Sequence, residues 1–410
     1  MDVALYLGFA VFARATVLTS EFHGFRVWGN FAVAAYLLAA AHALVLLLAG
    51  AWLPSWLRSR ALPIWLVGVV GTAAPLGVLT ATRQSAENFS NTPWTWSAQP
   101  NVWVIERSAK LLLAHGTPYV DVTALGRPPD VNDYTPYGPM MTIFGLPRAL
   151  FGDVPFTDAR VMFAIIAIAA TAVALRLLAW PKVPVRAMQI AAAGPLTVLT
   201  TTTAGEDLAV IALLGLMAAL VVREKPGWAA AVAATAVSIK LIALPAAVVL
   251  TVFLLVRLGR PARFAAIFAG VCAALSLPVL LVDPGAFVEH AIRFPTGTAH
   301  VQSPAASPFP GHLLTELGQT GHAVALGLLV AGGLANLIWL VLRPPATAAD
   351  AMRRIVAGMG TAILLMPASR FGYLVYPLVF FGLALFFRSL ERVYAQPQWT
   401  MPVSRMAISS

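Results

Sequence analysis

Residues 206–257, EDLAVIALLGLMAALVVREKPGWAAAVAATAVSIKLIALPAAVVLTVFLLVR, carry no charge between Asp207 and Arg223 and only Lys240 between Lys225 and Arg257. Apolar runs of about 17–25 residues are long enough to cross a bilayer as helices. The same texture recurs along the chain, which is 59% hydrophobic and 11% charged, against about 25% charged in soluble domains. The expected fold is an all-α polytopic membrane protein. Twelve spans are expected, at about 3–19, 29–53, 62–81, 157–179, 187–203, 206–223, 227–239, 241–257, 262–282, 321–342, 353–368 and 371–388. The pair 227–239 and 241–257 also reads as one long kinked element. The first run lacks a basic leader and a small-residue cleavage site, so it reads as a span and not a signal.

Orientation follows from Lys and Arg in the short loops. With twelve spans, Arg58 and Arg60, Lys182 and Arg186, Arg223 and Lys225, Arg257, Arg260 and Arg263, Arg343, Arg353 and Arg354, and Arg388 and Arg392 all fall on one side. That side is expected to be cytoplasmic, with both termini, in the plasma membrane. This bias accounts for the net charge of +10 without a nucleic-acid partner. Four of the 17 acids, Asp2, Glu224, Asp350 and Glu391, lie on that side. The rest, with the long loops 82–156 and 283–320, are expected outside. The chain divides into N-terminal helices 1–81, an external catalytic loop 82–156, and a helical core 157–410 within one membrane domain. The single cysteine, Cys272, leaves no internal disulfide or CxxC metal site.

A connection as long as 82–156 needs a reason, because joining two helices takes only a few residues. Its segment 98–139, AQPNVWVIERSAKLLLAHGTPYVDVTALGRPPDVNDYTPYGP, holds Glu106, Asp121, Asp130 and Asp133 among Tyr, Trp and Pro. Val102, Ile105, Ala109 and Leu112 share one helical stripe, which predicts an interfacial helix over 101–115, apolar face on the membrane, stopped by Gly116. Residues 139–151, interrupted by Pro147, read as re-entrant or interfacial.

A carboxylate at a membrane surface can act as a general base, and cations there can hold an anionic group. Glu106, Asp130 and Asp133 are the candidate bases, Asp130 and Asp133 also reading as divalent-metal ligands, with turn building by Asp130, Asp133 and Asp121 as the alternative. Lys240, alone in an apolar run, is a candidate phosphate ligand, as are Arg370 in ASRFGY and Arg107. Glu206 and Asp207 open a helix, where acids favour the N-terminus, and are candidates for acceptor binding with Tyr134 and His300. Tyr373 and Tyr376 fit an interfacial aromatic belt. The loop 283–320, with His290, Arg293, His300, His312 and Glu316, reads as a lid, and its histidine spacing matches no zinc motif. Walker, dinucleotide and Gly-x-Ser-x-Gly motifs are absent from the sequence, which argues against a nucleotide-sugar site.

The order NVWVIERSAKLLLAHGTPY, DYTPYGPMMTIFGLPRALFG, TAGEDLAVIALLGLMAAL, AVSIKLIALPAAVVL and PASRFGYLVYPLVFF resembles glycosyltransferase family 87, the polyprenyl-phosphate-sugar-dependent transferases of GT-C fold, over about residues 95–390. The resemblance implies transfer of mannose or another cell-envelope sugar from a polyprenyl phosphate to an outward-facing lipid or polysaccharide acceptor, with inversion and no required metal. One departure stands out. The family's acidic residue opens the first motif, and the matching position here is Asn101, which cannot act as a base. The role passes to Glu106, Asp130 or Asp133, or the chain is a non-catalytic relative that binds lipid-linked sugar or scaffolds a synthase. A transporter or flippase is the remaining alternative, and no internal repeat supports it.

Overall fold

A computed structural model describes residues 1–83, 93–259 and 261–394. Arg260, part of loop 82–156 and the tail of the 157–410 segment lie outside the described residues. Among the described residues all regular structure is helical, with one isolated parallel bridge, Ala306 to Ser369.

Fourteen helices are used below. They are α1 Asp2–Thr19, α2 His23–Ala49, α3 Leu62–Ala81, α4 Pro100–His115, α5 Ala159–Leu177, α6 Val185–Ala191 and α7 Pro195–Thr203. They continue with α8 Glu206–Val222, α9 Pro226–Ile239, α10 Leu244–Leu258, α11 Pro261–Val282, α12 Gly318–Leu342, α13 Ala348–Leu365 and α14 Val375–Tyr394. Eight described helical stretches are long and apolar enough to cross a membrane, or up to nine counting the bent pair α7–α8. The protein is therefore a polytopic all-α membrane protein. The remaining expected spans differ for local reasons. Stretch 187–203 breaks at Gly194, and α9 has only 14 residues. Helix α13 begins at Ala348 with Thr347 as its N-cap and carries Asp350, Arg353 and Arg354 in its first turns. The chain does break between α9 and α10, at Lys240, whose backbone is extended.

Small residues let the helices approach closely where no aqueous hydrophobic effect drives them together. Helices α1 and α2 meet through Ala10, Ala13, Gly29, Ala32 and Ala39, and a Cβ at Gly29 would sit 2.9 Å from the Ala13 carbonyl. Helix α9 buries Ala229, Ala230, Ala233, Ala234 and Ala236 in a larger core shared with α8, α10, α13 and α14.

The basic loops gather at one end of the bundle. Asp2 pairs with both Arg60 and Arg186, Glu224 pairs with Arg257, and Glu391 accepts from the Ala349 N–H. The other end carries the long loops. There α4 forms as expected, with Pro100 in its first turn and Gly116 closing it at φ 72°. Its setting is different from the expected one. Besides the predicted stripe, Trp103, Val104, Glu106 and Ser108 are buried too, so protein and not lipid encloses its first turns. The covering piece is 139–151, a 3-10 turn followed by the short helix Leu146–Phe151. Two glycines make that possible. Gly145 lies on the α4 backbone at Ile105 and Glu106, and a side chain at Gly138 would collide with the Ser238 carbonyl.

Candidate functional site

The 117° turn between α7 and α8 is the centre of the site. Gly205 makes it, at φ 95°, with Phe163 packed so closely that a Cβ would lie 3.1 Å from its ring. Only glycine meets both demands. Before the turn, Thr201, Thr202 and Thr203 hydroxyls bond carbonyls one turn back, which satisfies them in apolar surroundings. After it, Glu206 and Asp207 occupy the first turn of α8, where the helix dipole favours carboxylates.

Both acids face Lys240 from the broken end of α9. Lys240 Nζ is 2.5 Å from Asp207 Oδ1 and 3.7 Å from Glu206 Oε1. The Tyr376 hydroxyl donates to the same Asp207 oxygen at 2.8 Å. The ammonium also lies 5.5 Å from the Tyr137 ring and 5.2 Å from that of Tyr373, a cation–π setting. Asn101 Nδ2, from the first turn of α4, donates to Glu206 Oε1 at 2.6 Å. Glu206, Asp207 and Lys240 are at most 7% exposed. Two buried acceptors nonetheless have no hydrogen-bond partner among the described residues: Glu206 Oε2 and Asn101 Oδ1. Leaving such an acceptor unpaired costs about 1–3 kcal/mol, so the pair has capacity to accept further hydrogen bonds.

Beside this cluster is a buried ion network. Arg83 grips Glu106 through two nitrogens, at 2.8 and 3.0 Å, and reaches Asp158 at 2.7 Å. Arg160 holds Asp158 in a fork at 2.8 and 2.9 Å and donates to the carbonyls of Ser97 and Thr202. Arg148 bridges Glu106 and Asp153, and the Ala159 N–H donates to Glu106. Glu106 is thus tied to two arginines and a backbone amide, an arrangement that fixes α4 against α5.

Asp130 and Asp133 form the reciprocal cap of a 3-10 turn, with Asp133 also forked by Arg127 at 2.7 and 2.8 Å. Burial alone would raise the Asp133 carboxyl, yet Arg127 and the Asp130 N–H hold it below the usual carboxylate range. Asp121 closes a local turn with Thr123. Arg107 donates to the Asp133 carbonyl, and its buried Nε has no partner. Arg370 is half-buried, three residues from Tyr373, and forms no ion pair among the described residues. The Tyr134 hydroxyl donates to Glu289 at 3.1 Å, and His300 is exposed, touching Glu289 only through its N–H. Tyr134 and His300 are thus joined through Glu289, away from the Lys240 cluster.

His290 staples the second loop to the first. Its Nδ1 accepts from the Thr135 N–H at 2.9 Å, so Nε2 carries the hydrogen and donates to the Val120 carbonyl at 2.8 Å. Its ring packs between Tyr119 and Tyr134. Burial holds the imidazole below its ordinary pKa. Residues 283–301 are therefore docked onto the first loop. His312, further along, donates from Nδ1 to the Pro367 carbonyl at 3.1 Å. Among the described residues no group of three or more His, Cys, Asp and Glu side chains is placed to hold a metal ion.

The family model described as Glycosyltransferase family 87 matches residues 134–367, more than half of the chain. The chain belongs to glycosyltransferase family 87. The protein is accordingly a membrane glycosyltransferase. No curated protein and no solved structure gave a significant match. The family 87 match takes in Tyr137, Glu206, Asp207, Lys240 and His290, and leaves Asn101, Glu106, Asp130, Asp133 and Arg370 outside it. In this glycosyltransferase the sequence reading singled out Glu206, Asp207 and Lys240 separately, and the fold joins them. It missed Tyr137, Arg83, Asp158 and Arg160. The acid and arginine two residues apart at the head of α5, and a lone arginine after α3, were the available signals.

Proposed function

We propose that the enzyme moves a sugar from a polyprenyl-phosphate donor to an outward-facing lipid or polysaccharide acceptor in the plasma membrane, with Glu206 as general base. The observation that carries this reading is the unpartnered, buried Oε2 of Glu206 beside Asn101. The position where the family resemblance expects an acid holds an amide, and the fold brings a carboxylate within 2.6 Å of it. The acceptor hydroxyl, donating to Glu206, attacks the anomeric carbon as the bond to the phosphate oxygen breaks. The proton ends on Glu206, polyprenyl phosphate departs, and the centre inverts. Asn101 Oδ1 accepts from a neighbouring hydroxyl.

Lys240 is occupied by two carboxylates, so its role is to hold Asp207 and shape the pocket. The phosphate falls to Arg370 and Arg107, which form no ion pair among the described residues and whose guanidinium forks suit phosphate oxygens. Helix α9, 14 residues long, rises about 21 Å of a roughly 30 Å hydrocarbon core. The cluster then sits just beneath the headgroups of the far leaflet, within reach of a lipid phosphate. Broken helices at such depth are tolerated where they line a site. The basic loops lie at the opposite end, and the positive-inside rule makes that end cytoplasmic.

The test is transfer in proteoliposomes from radiolabelled polyprenyl-phosphate mannose and arabinose into a membrane lipid extract. Glu206→Gln is expected to abolish transfer, and Asp130→Asn and Asp133→Asn to leave it measurable. Transfer unaffected by Glu206→Gln but lost in Glu106→Gln, with both proteins folded, would move the base to α4. Absence of transfer from both donors, with the lipid bound, would favour a non-catalytic carrier of lipid-linked sugar.

A further inference from the structure

Far from the sugar site, at the basic end, α8 and α9 are joined by the tight turn Arg223–Lys225, in which Glu224 has φ 56°. Between this turn and the first turns of α11 lies an open cleft of about 480 Å³, lined by Glu224, Lys225, Gly227, Trp228, Arg263 and Ile267 among others. Gly227 is its floor. A Cβ there would sit 3.2 Å from Ile267 Cδ1 and 3.9 Å from Arg263 Nη2.

Three observations describe what fits. Lys225 and Arg263 are exposed and form no ion pair among the described residues, while the carboxylate at the rim, Glu224, is turned to Arg257 at 3.4 Å. The cleft therefore presents net positive charge. Its depth is marked by tryptophan. Of the seven exposed tryptophans among the described residues, Trp52, Trp56, Trp65, Trp180, Trp228 and Trp339 all sit at this end, and only Trp94 at the other. Such a belt marks the headgroup level of a bilayer. Finally, α11, which supplies one wall, has only 6% of its most apolar window buried in protein, so the cleft opens sideways to the lipid. Below the cations, Ala231 and Ile267 continue the wall as apolar surface.

We propose that this cleft is a binding site for an anionic phospholipid from the leaflet at the basic end, its phosphate between Lys225 and Arg263, its glycerol over Gly227 and one acyl chain along α11. The assignment is independent of the sugar chemistry. A phosphate group could equally come from solution, and the apolar wall favours the lipid.

The experiment uses the full-length protein in detergent. Bound lipid is counted by native mass spectrometry after titration with phosphatidylglycerol, with phosphatidylcholine, and with phosphatidylglycerol in the presence of excess inorganic phosphate. The wild type is compared with Lys225→Gln/Arg263→Gln, with Gly227→Val, and with Arg343→Gln/Arg353→Gln, which removes equal charge elsewhere on the same end. Each cation near an anionic headgroup contributes about fivefold, so the double variant should bind phosphatidylglycerol roughly thirtyfold more weakly. Gly227→Val, which fills the floor without changing charge, should weaken it too, and the Arg343/Arg353 control should not. Equal weakening in the control would show a diffuse charge belt and overturn the site. So would equal retention of phosphatidylcholine. Displacement of the lipid by inorganic phosphate would make it a free-anion site and overturn the lipid assignment.

Discussion

Replacing Glu206 and Asp207 by their amides, one at a time, should produce opposite signatures although the residues are adjacent. Two carboxylates against one ammonium leave the cluster with a net charge of −1. Glu206→Gln removes the surplus charge. Its amide oxygen still accepts from Asn101 Nδ2, and the Lys240–Asp207 pair, with its Tyr376 hydrogen bond, stays intact. The fold should therefore be no less stable. What disappears is the group able to take a proton, and general-base catalysis supplies about 10²–10⁴ in rate, or roughly 3–5 kcal/mol of barrier. Asp207→Asn does the reverse. It leaves Lys240, 7% exposed, with only the 3.7 Å contact to Glu206. Losing one partner of a buried pair costs about 3–5 kcal/mol, so this variant should unfold at lower temperature, and whatever folds should bind sugar poorly. The assays are single-turnover transfer in proteoliposomes and thermal unfolding by fluorescence-detected size exclusion. A folded Glu206→Gln enzyme within threefold of wild type in kcat/KM would refute the assignment of the base. Equal losses of stability in both variants would refute the division of labour.

Gly205→Ala should lower both stability and kcat, because a φ of 95° and the contact with Phe163 each oppose a Cβ; about 1–3 kcal/mol is expected, and adding Phe163→Leu should recover only the contact part. Arg370→Gln should raise KM for the donor by about tenfold or more with kcat less changed, since a charge-assisted hydrogen bond is worth about 1.5–3 kcal/mol; an unchanged KM would remove it from the donor site. The loop staple should weaken in acid. Burial holds His290 below its ordinary value in the folded protein, so the unfolded loop takes up a proton near pH 6.5 that the folded loop refuses. The contribution of neutral His290 is full above that pH and is lost as pH falls below it. Protease cleavage within 283–301 should rise between pH 7.5 and 5.5 in the wild type. His290→Gln, which has no titrating ring, should show no such rise.

The amino-acid sequence by itself determined the class of this protein. Long apolar runs in 206–257 and elsewhere can satisfy their backbones in lipid only as helices, and the basic short loops assign an end to each. The residues of the candidate site were legible one by one: Lys240 as a lone charge, and Glu206 and Asp207 at a helix start. Their union was not. The sequence divides its spans near 204–205 and at 240, but how sharply the chain turns there, 117° at Gly205 and an extended break at Lys240, was not written in the periodicity. Only those two breaks bring α4, α8, α9 and α14 to one point, 105 residues separating Asn101 from Glu206 and 169 separating Asp207 from Tyr376. The tertiary structure likewise pairs Glu106 with Arg83 and Arg148, and Asp130 with Asp133 across a turn. A carboxylate's partners come from segments remote in sequence, and burial removes the water that would otherwise leave it free.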